Sequence, residues 1–171
     1  NDLTTQLVNS LAAGQSSLAL ILSPHGHVEH ELHLADDGST TWIVTPPGAA
    51  TALAEYLRSM QFMLRVEVAD VTSEYAVVWE PALETDPEYP TWLVPADYAG
   101  TGSVDAGADR GGDASRYVDS RPGTFVGREV ILPRAAVDAR LDAAGEPAGT
   151  WALEALRVAA AVPRVGLETD H

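Results

Sequence analysis

Alternating apolar and polar positions, interrupted by turn residues, run through the first half of the chain and predict short strands. Turns are predicted at residues 24–27 and 36–38, where proline, glycine and aspartate fall. The predicted strands occupy residues 17–23, 28–34, 40–45, 66–68 and 74–79. Because tight turns join the first three, we expect them to form an antiparallel meander.

A wider apolar spacing predicts helices beside these strands. Leu53, Leu57 and Met60 share one face of a helix predicted at residues 49–63, and a shorter helix is predicted at 3–11. Strands of this kind with packed helices indicate an α+β fold made of two small layers of antiparallel sheet.

The second half of the chain has a less regular pattern. It predicts strands at residues 91–94 and 127–132 and helices at 134–143 and 150–161. Residues 99–120 are rich in Gly, Asp and Ala, and we expect a mobile loop there. The chain is therefore divided into a first α+β subdomain at residues 1–80, an irregular connection at 81–122 and a second α+β subdomain at 123–171.

The last predicted helix combines an apolar face with a single positive charge. Thr150 is the expected N-cap, because its hydroxyl can accept a hydrogen bond from a first-turn N–H group. Leu153, Leu156 and Ala160 recur at helical spacing and predict the apolar face, and Arg157 lies among them. On pattern alone this is a core helix whose arginine reaches toward solvent.

Charge and composition exclude several classes of function. The 171 residues carry 25 acidic and 10 basic side chains, a net charge of -15, which disfavours direct binding of nucleic acid. The absence of cysteine excludes disulfides, thiolate metal sites and a cysteine nucleophile within the chain. No apolar run has the length of a membrane span and no signal peptide is recognisable. We expect a cytoplasmic monomer that does not contact membranes.

Four histidines fall within nine positions, at residues 25, 27, 30 and 33. Alternation places His30 on the apolar, core-facing side of its strand and puts Glu31 and His33 on the other side. His27 and His33 share a face, but they are too far apart along a strand to chelate one ion. The pattern therefore predicts no metal site and makes His30 the polar side chain that points inward.

Residues 155–170, A-L-R-V-A-A-A-V-P-R-V-G-L-E-T-D, resemble the A-L-R-I-E-A-G-I-P-R-F-G-x-E-x-D segment of YgfZ-type folate-binding proteins. The related aminomethyltransferases of the GcvT (glycine cleavage T-protein) superfamily have L-R-L-E-A-G-M-P-L-Y-G. The order and spacing of Arg157, Pro163, Arg164 and Gly166 carry the resemblance, and weaker similarities cover most of the chain. The chain has no initiator methionine and begins within an amphipathic segment, and the family motif K-G-C-Y-x-G-Q-E, which lies further toward the C-terminus, is absent, so we expect a fragment truncated at both ends.

The resemblance implies an incomplete GcvT/YgfZ-like fold that binds tetrahydrofolate or a derivative. It also implies a role in iron–sulfur cluster assembly or repair, with an indirect effect on tRNA modification and with iron–sulfur enzymes as candidate partners. Arg157, Arg164 and His30 are sparse polar groups on apolar elements and are the first candidates for folate contact. Glu31 is the fourth, because it aligns with a family carboxylate. No catalytic residue is assigned, and an enzyme is not the favoured interpretation.

Two alternatives belong to other classes of protein. The first is an aminomethyltransferase of the glycine cleavage system. Its aspartate pair would fall at His30 and Glu31, and its folate-contacting glutamate has no clear counterpart near Glu129. The second is a non-catalytic interaction domain that has lost folate binding.

Overall fold

The computed structural model describes residues 11–61, 66–95 and 125–167. Within these ranges the chain forms two antiparallel three-stranded sheets and three α-helices, an α+β architecture as predicted. The strands are β1 Ser16–Leu22, β2 Val28–Asp36, β3 Thr41–Val44, β4 Tyr75–Glu80, β5 Thr91–Leu93 and β6 Arg128–Pro133. The helices are α1 Ala50–Ser59, α2 Val137–Ala144 and α3 Thr150–Ala159, and a 3₁₀ turn, Arg134–Ala136, leads into α2.

The predicted meander is confirmed as the first sheet, with strand order β1-β2-β3. Gly26 and Gly38 lie in the two connections at φ +84° and +91°, a region that glycine enters at little cost. The apolar side of this sheet is closed by α1. Its buried cluster contains Ala19, Ile21, Leu32, Leu34 and Leu53, with Leu11, Tyr56 and Leu57 packed against it.

The second sheet has the order β4-β6-β5, and its central strand is the most deeply buried. Val130 and Leu132 of β6 are fully buried, and Trp92 of β5 is 2% exposed. Just before β6, Gly127 lies against the ring of Trp79, where an added Cβ would overlap the indole. The β4–β6 pairing joins residues 75–80 to residues 128–133, across the predicted subdomain boundaries at 80 and 123. The three-part division itself stays a prediction.

A network of four charged side chains holds α2 against this second sheet. Arg128 and Arg140 both pair with Glu80 and with Asp86, at distances of 2.6 to 3.3 Å. Two guanidinium groups balance two carboxylates, so the network is neutral. It has the composition of a structural network, since each charge already has an opposite partner.

Several local predictions were wrong or fall outside the described residues. No strand forms at residues 66–68, and α1 ends at Ser59, so Met60 is 43% exposed. The predicted helix at 3–11 and the predicted loop at 99–120 lie outside the described residues, apart from Leu11. In α3 the N-cap is Gly149, not Thr150, and no side chain caps the helix.

The orientation of α3 also differs from the sequence-based expectation. Leu156 is 53% exposed, whereas Arg157 is only 7% exposed, so the charged residue faces inward. The chain turns after the helix at Ala161, which has φ +55° and is the one non-glycine residue with positive φ in the described ranges. The Val162 N–H then donates to the Arg157 carbonyl at 3.1 Å, a closing bond of the Schellman type.

Candidate functional site

The side of β2 opposite the apolar cluster carries a histidine held between two carboxylates. His33 Nδ1 lies 2.8 Å from Glu129 Oε2 of β6, and its Nε2 lies 3.2 Å from Glu31 Oε1 of β2. The imidazole also stacks on Trp92 of β5, with ring centroids 3.8 Å apart and planes inclined by 6°. One side chain therefore links the two sheets through polar contacts and ring stacking.

The opposite charges of this cluster each stabilise the ionised form of the other. Burial lowers the pKa of His33, but hydrogen bonds to Glu129 and Glu31 outweigh it and raise the pKa to about 9. Burial raises the pKa of Glu31, but the hydrogen bond and charge of His33, the Val165 N–H and the charge of Arg164 together outweigh it, so the net direction is downward. At neutral pH the imidazolium thus donates to both carboxylates. Since both ring nitrogens are engaged, His33 is not placed to act as a general base.

Trp92 is held in position for this stacking by a second contact between the sheets. Its indole Nε1–H donates to the Ser17 carbonyl of β1 at 3.0 Å, and the neighbouring Leu93 N–H donates to Ser16 Oγ at 3.1 Å. The indole is therefore fixed at both its polar edge and its ring face, which orients the histidine as well.

Both candidate arginines bind the same carboxylate, that of Glu154 in α3. Arg157 donates from Nε and Nη2 to Glu154 Oε2 at 2.9 and 2.8 Å, and from Nη1 to the Val162 carbonyl at 2.6 Å. Arg164 Nη1 pairs with the other oxygen, Glu154 Oε1. Glu154 therefore sets the position of both guanidinium groups, which sequence reasoning did not anticipate.

Arg164 and Glu31 also meet in a small cavity of about 50 Å³. The other residues lining this polar cavity are His33, Val44, Thr45, Pro46 and Glu129. The Val165 N–H approaches Glu31 Oε2 at 3.4 Å. The hydroxyl of Thr45 is buried without a hydrogen-bond partner in the described part of the chain. A volume of this size has room for one to a few water molecules.

The structure thus brings together part of the predicted site. Glu31 and Arg164 line the polar cavity, and Arg157 joins them through Glu154. His30 lies on the opposite face of β2 as alternation predicted, and its ring centroid is 6.0 Å from that of Tyr56. Its Nδ1 is buried without a partner among the described residues.

Three carboxylates and three cations make the surroundings of the polar cavity electrically neutral. The acidic members are Glu31, Glu129 and Glu154, and the basic members are protonated His33, Arg157 and Arg164. No group of three ligating side chains in the described ranges could hold a metal ion. Glu31 and Glu129 bind opposite nitrogens of one ring and do not converge on a common point.

A second cavity, of about 410 Å³, is much larger and mostly apolar. Its walls come from β3, α1, β4 and residues 67–72, and Val44 and Thr45 line both cavities. Trp42 and Tyr75 contribute aromatic rings whose centroids are 4.7 Å apart. The volume lies within the range of pockets that bind small organic ligands.

A few polar side chains line this large cavity among the apolar ones. Asp70 accepts hydrogen bonds from Thr72 and from Thr51 Oγ1, and the Thr72 bonds are the main cause of its lowered pKa. Arg134 donates from Nε and Nη2 to the Thr72 carbonyl. No carboxylate of the described residues lies within ion-pair distance of Arg134, which leaves its charge available to an anion.

Sequence reasoning missed His33, Glu129 and Glu154 as members of the charged cluster. The alternation in β2 did place Glu31 and His33 on one face, and this was the available signal for the first pair. Glu129 and Glu154 are distant in sequence from β2, and their contacts arise only when β6 and α3 pack beside it.

None of the three helices in the described ranges is long and apolar enough to cross a membrane. No family model, curated protein or solved structure matches the chain.

Proposed function

We propose that this protein binds tetrahydrofolate or a derivative in the large cavity. Following the resemblance of residues 155–170 to YgfZ-type proteins, we further propose a cytoplasmic role in iron–sulfur cluster assembly or repair. The observation that carries the binding proposal is a cavity of about 410 Å³ with apolar walls, two aromatic rings and few polar groups.

The side chains that line the large cavity match the chemical groups of a folate. The pterin and the aminobenzoyl group are flat, and Trp42 and Tyr75 offer ring surfaces against which flat groups can pack. The pterin carries amino and ring N–H donors, for which Glu67 and Asp70 supply carboxylate acceptors. The anionic glutamate tail has a cationic partner in Arg134.

The polar cavity supports a folate site less well. Its volume of about 50 Å³ is far below that of a pterin, and its charges are already balanced by one another. Direct contact through Glu31 and Arg164 would require the Arg164–Glu154 pair to open. We therefore assign these residues to positioning of the fold, and the large cavity to ligand.

Isothermal titration with 5-formyltetrahydrofolate tests this assignment. We expect saturable one-to-one binding, weakened about 10-fold by Arg134→Gln, since a charge-assisted contact is removed. Filling the cavity with Ala76→Leu should also weaken binding. Arg164→Gln is the control and should bind as the unmodified protein does.

Each other outcome has a definite meaning. Loss of binding in Arg164→Gln, with Arg134→Gln unaffected, would move the site to the polar cavity. No binding by the folded, unmodified protein would overturn the folate proposal and favour an interaction domain. The cluster role is tested separately, by the activity of a four-iron enzyme in cells lacking this protein.

A further inference from the structure

The orientation of the Trp42 ring at the large cavity is determined only in part by strand packing. β3 is an edge strand, so Trp42 has a strand neighbour only on the β2 side, where its partner Ala35 offers a single methyl group. Consecutive residues, 40–45, line the large cavity, which indicates that the hydrogen-bonding edge of β3 is turned toward it. An indole beside an alanine can adopt several rotamers, so a further contact must select the one observed.

A carboxylate in the turn between β2 and β3 supplies this contact. The Trp42 Nε1–H donates to Asp37 Oδ2 at 2.7 Å. The other oxygen, Asp37 Oδ1, accepts from the Ser39 N–H, the Ser39 hydroxyl and the Thr40 N–H, each at 2.8 Å. The Trp42 hydrogen bond is the main cause that lowers the pKa of Asp37 to about 2. The carboxylate is therefore a charged acceptor near neutral pH, and the turn fixes its position.

We propose that Asp37 is a positioning residue of the large cavity, which holds the Trp42 indole in the orientation that packs against a flat ligand. Asp37 is not among the residues that line the cavity, so it acts through Trp42. The indole contacts the ring of Tyr75 on β4, with centroids 4.7 Å apart and planes inclined by 58°. This aromatic wall is ordered before a ligand arrives, which lowers the entropic cost of binding. The inference rests on the proposed function, in that the large cavity binds a flat ligand, and it does not require that ligand to be a folate.

Asp37→Asn tests this role with little change to the turn. Its amide oxygen can still accept from Ser39 and Thr40, whereas its amide NH₂ group faces the indole N–H and cannot accept from it. Without this bond the indole distributes over about three χ1 wells and about two χ2 wells, of which one is the observed orientation. Because apparent affinity falls with the competent fraction, we expect about 5-fold weaker binding of 5-formyltetrahydrofolate.

Asp36→Asn is the matched control. Asp36 lies in the same turn and accepts from the Gly38 N–H and the Thr41 hydroxyl, but it makes no hydrogen bond to Trp42. Both variants remove one negative charge from this turn, so both relieve repulsion of an anionic ligand to a similar extent. Affinity that falls in Asp37→Asn but not in Asp36→Asn therefore identifies the loss of the indole contact. In a Trp42→Phe background, which lacks the indole N–H, Asp37→Asn should produce no further loss.

Exchange of the Trp42 indole proton, followed by NMR, tests the contact without a ligand. The resonance is identified by its absence from Trp42→Phe. We expect this proton to exchange at least about 10-fold faster in Asp37→Asn than in the unmodified protein, because a charge-assisted hydrogen bond is lost. Asp36→Asn should exchange as the unmodified protein does. Equal exchange rates in Asp37→Asn and Asp36→Asn would overturn the proposal.

Titration with 1-anilinonaphthalene-8-sulfonate separates this proposal from the folate assignment. The probe has a flat naphthalene ring and one negative charge, but none of the hydrogen-bonding groups of a pterin. Binding that Ala76→Leu weakens is assigned to the large cavity, and it should weaken in Asp37→Asn as well. If the probe behaves in this way while 5-formyltetrahydrofolate does not bind, the folate proposal is overturned and the role of Asp37 is supported. Equal affinities of Asp37→Asn and Asp36→Asn for both ligands, or no binding of either ligand in the cavity of the unmodified protein, would overturn the role of Asp37.

Discussion

The two faces of β2 are both covered, yet they are stabilised by different forces. On one face Leu32 and Leu34 pack against Ile21 and Leu53 in a cluster of apolar side chains. On the other, Glu31 and His33 meet Glu129, Trp92 and Arg164. The apolar face joins the first sheet to α1, and the charged face joins it to the second sheet.

The difference indicates how each contact responds to its surroundings. Apolar burial is non-directional and does not depend on proton concentration. The charged face requires matched protonation states and hydrogen-bond geometry, and a broken pair leaves a buried charge without a partner. The contact between the two sheets should therefore be more sensitive to pH than the contact between the first sheet and α1. Three measurements on variants test this difference between the two faces.

The largest effect is expected on the apolar face. Ile21 is 1% exposed, so Ile21→Ala removes buried methyl groups and leaves a cavity, at a cost of about 4 kcal/mol in the free energy of unfolding. Chemical denaturation would measure it. Val77→Ala is the control, because Val77 is 44% exposed and should cost much less. A strongly pH-dependent loss for Ile21→Ala would contradict the assignment of this face.

The second largest effect is the pH dependence that His33 gives to the free energy of unfolding. Its pKa is raised from 6.5 to about 9 by Glu129 and Glu31, so its contribution is complete below pH 6.5 and is lost as the pH rises through 9. The loss should approach about 3 kcal/mol, from 1.36 kcal/mol per pKa unit. Denaturation of the unmodified protein and of His33→Gln over this pH range should show the slope only in the former. His27→Gln, at an exposed turn, should retain it.

A smaller effect is expected from one charged hydrogen bond. Glu129→Gln keeps the shape of the side chain but removes its charge opposite His33, at a cost of about 2 kcal/mol near neutral pH. The pKa of His33 should fall as well, which moves the loss of stability to lower pH. Glu29→Gln, an exposed position of β2, is the matched control. Equal stability of the two variants would show that the Glu129–His33 contact contributes nothing to the union of the sheets.

Local patterns in the sequence determined much of the first sheet. Alternation in residues 28–34 correctly separated His30 from Glu31, since successive side chains of a strand point to opposite faces. Turn residues fixed the meander, and helical spacing located all three helices to within a few residues. Residues 66–68 were predicted wrongly as a strand, because β-propensity is realised only beside a pairing strand, and no strand of the two described sheets pairs with them.

The surroundings of these elements depend on how the elements pack together. Helical spacing in α3 placed Leu156 inward, whereas Glu154 and the Val162 carbonyl hold Arg157 inside and leave Leu156 exposed. The contact between His33 and Glu129 joins residues 96 positions apart in sequence, and the large cavity collects residues from β3, α1, β4 and β6. The pattern of a sequence indicates which side chains share a face of one helix or strand. Contacts between elements arise from packing, where a charge is buried only if its partners are brought to it.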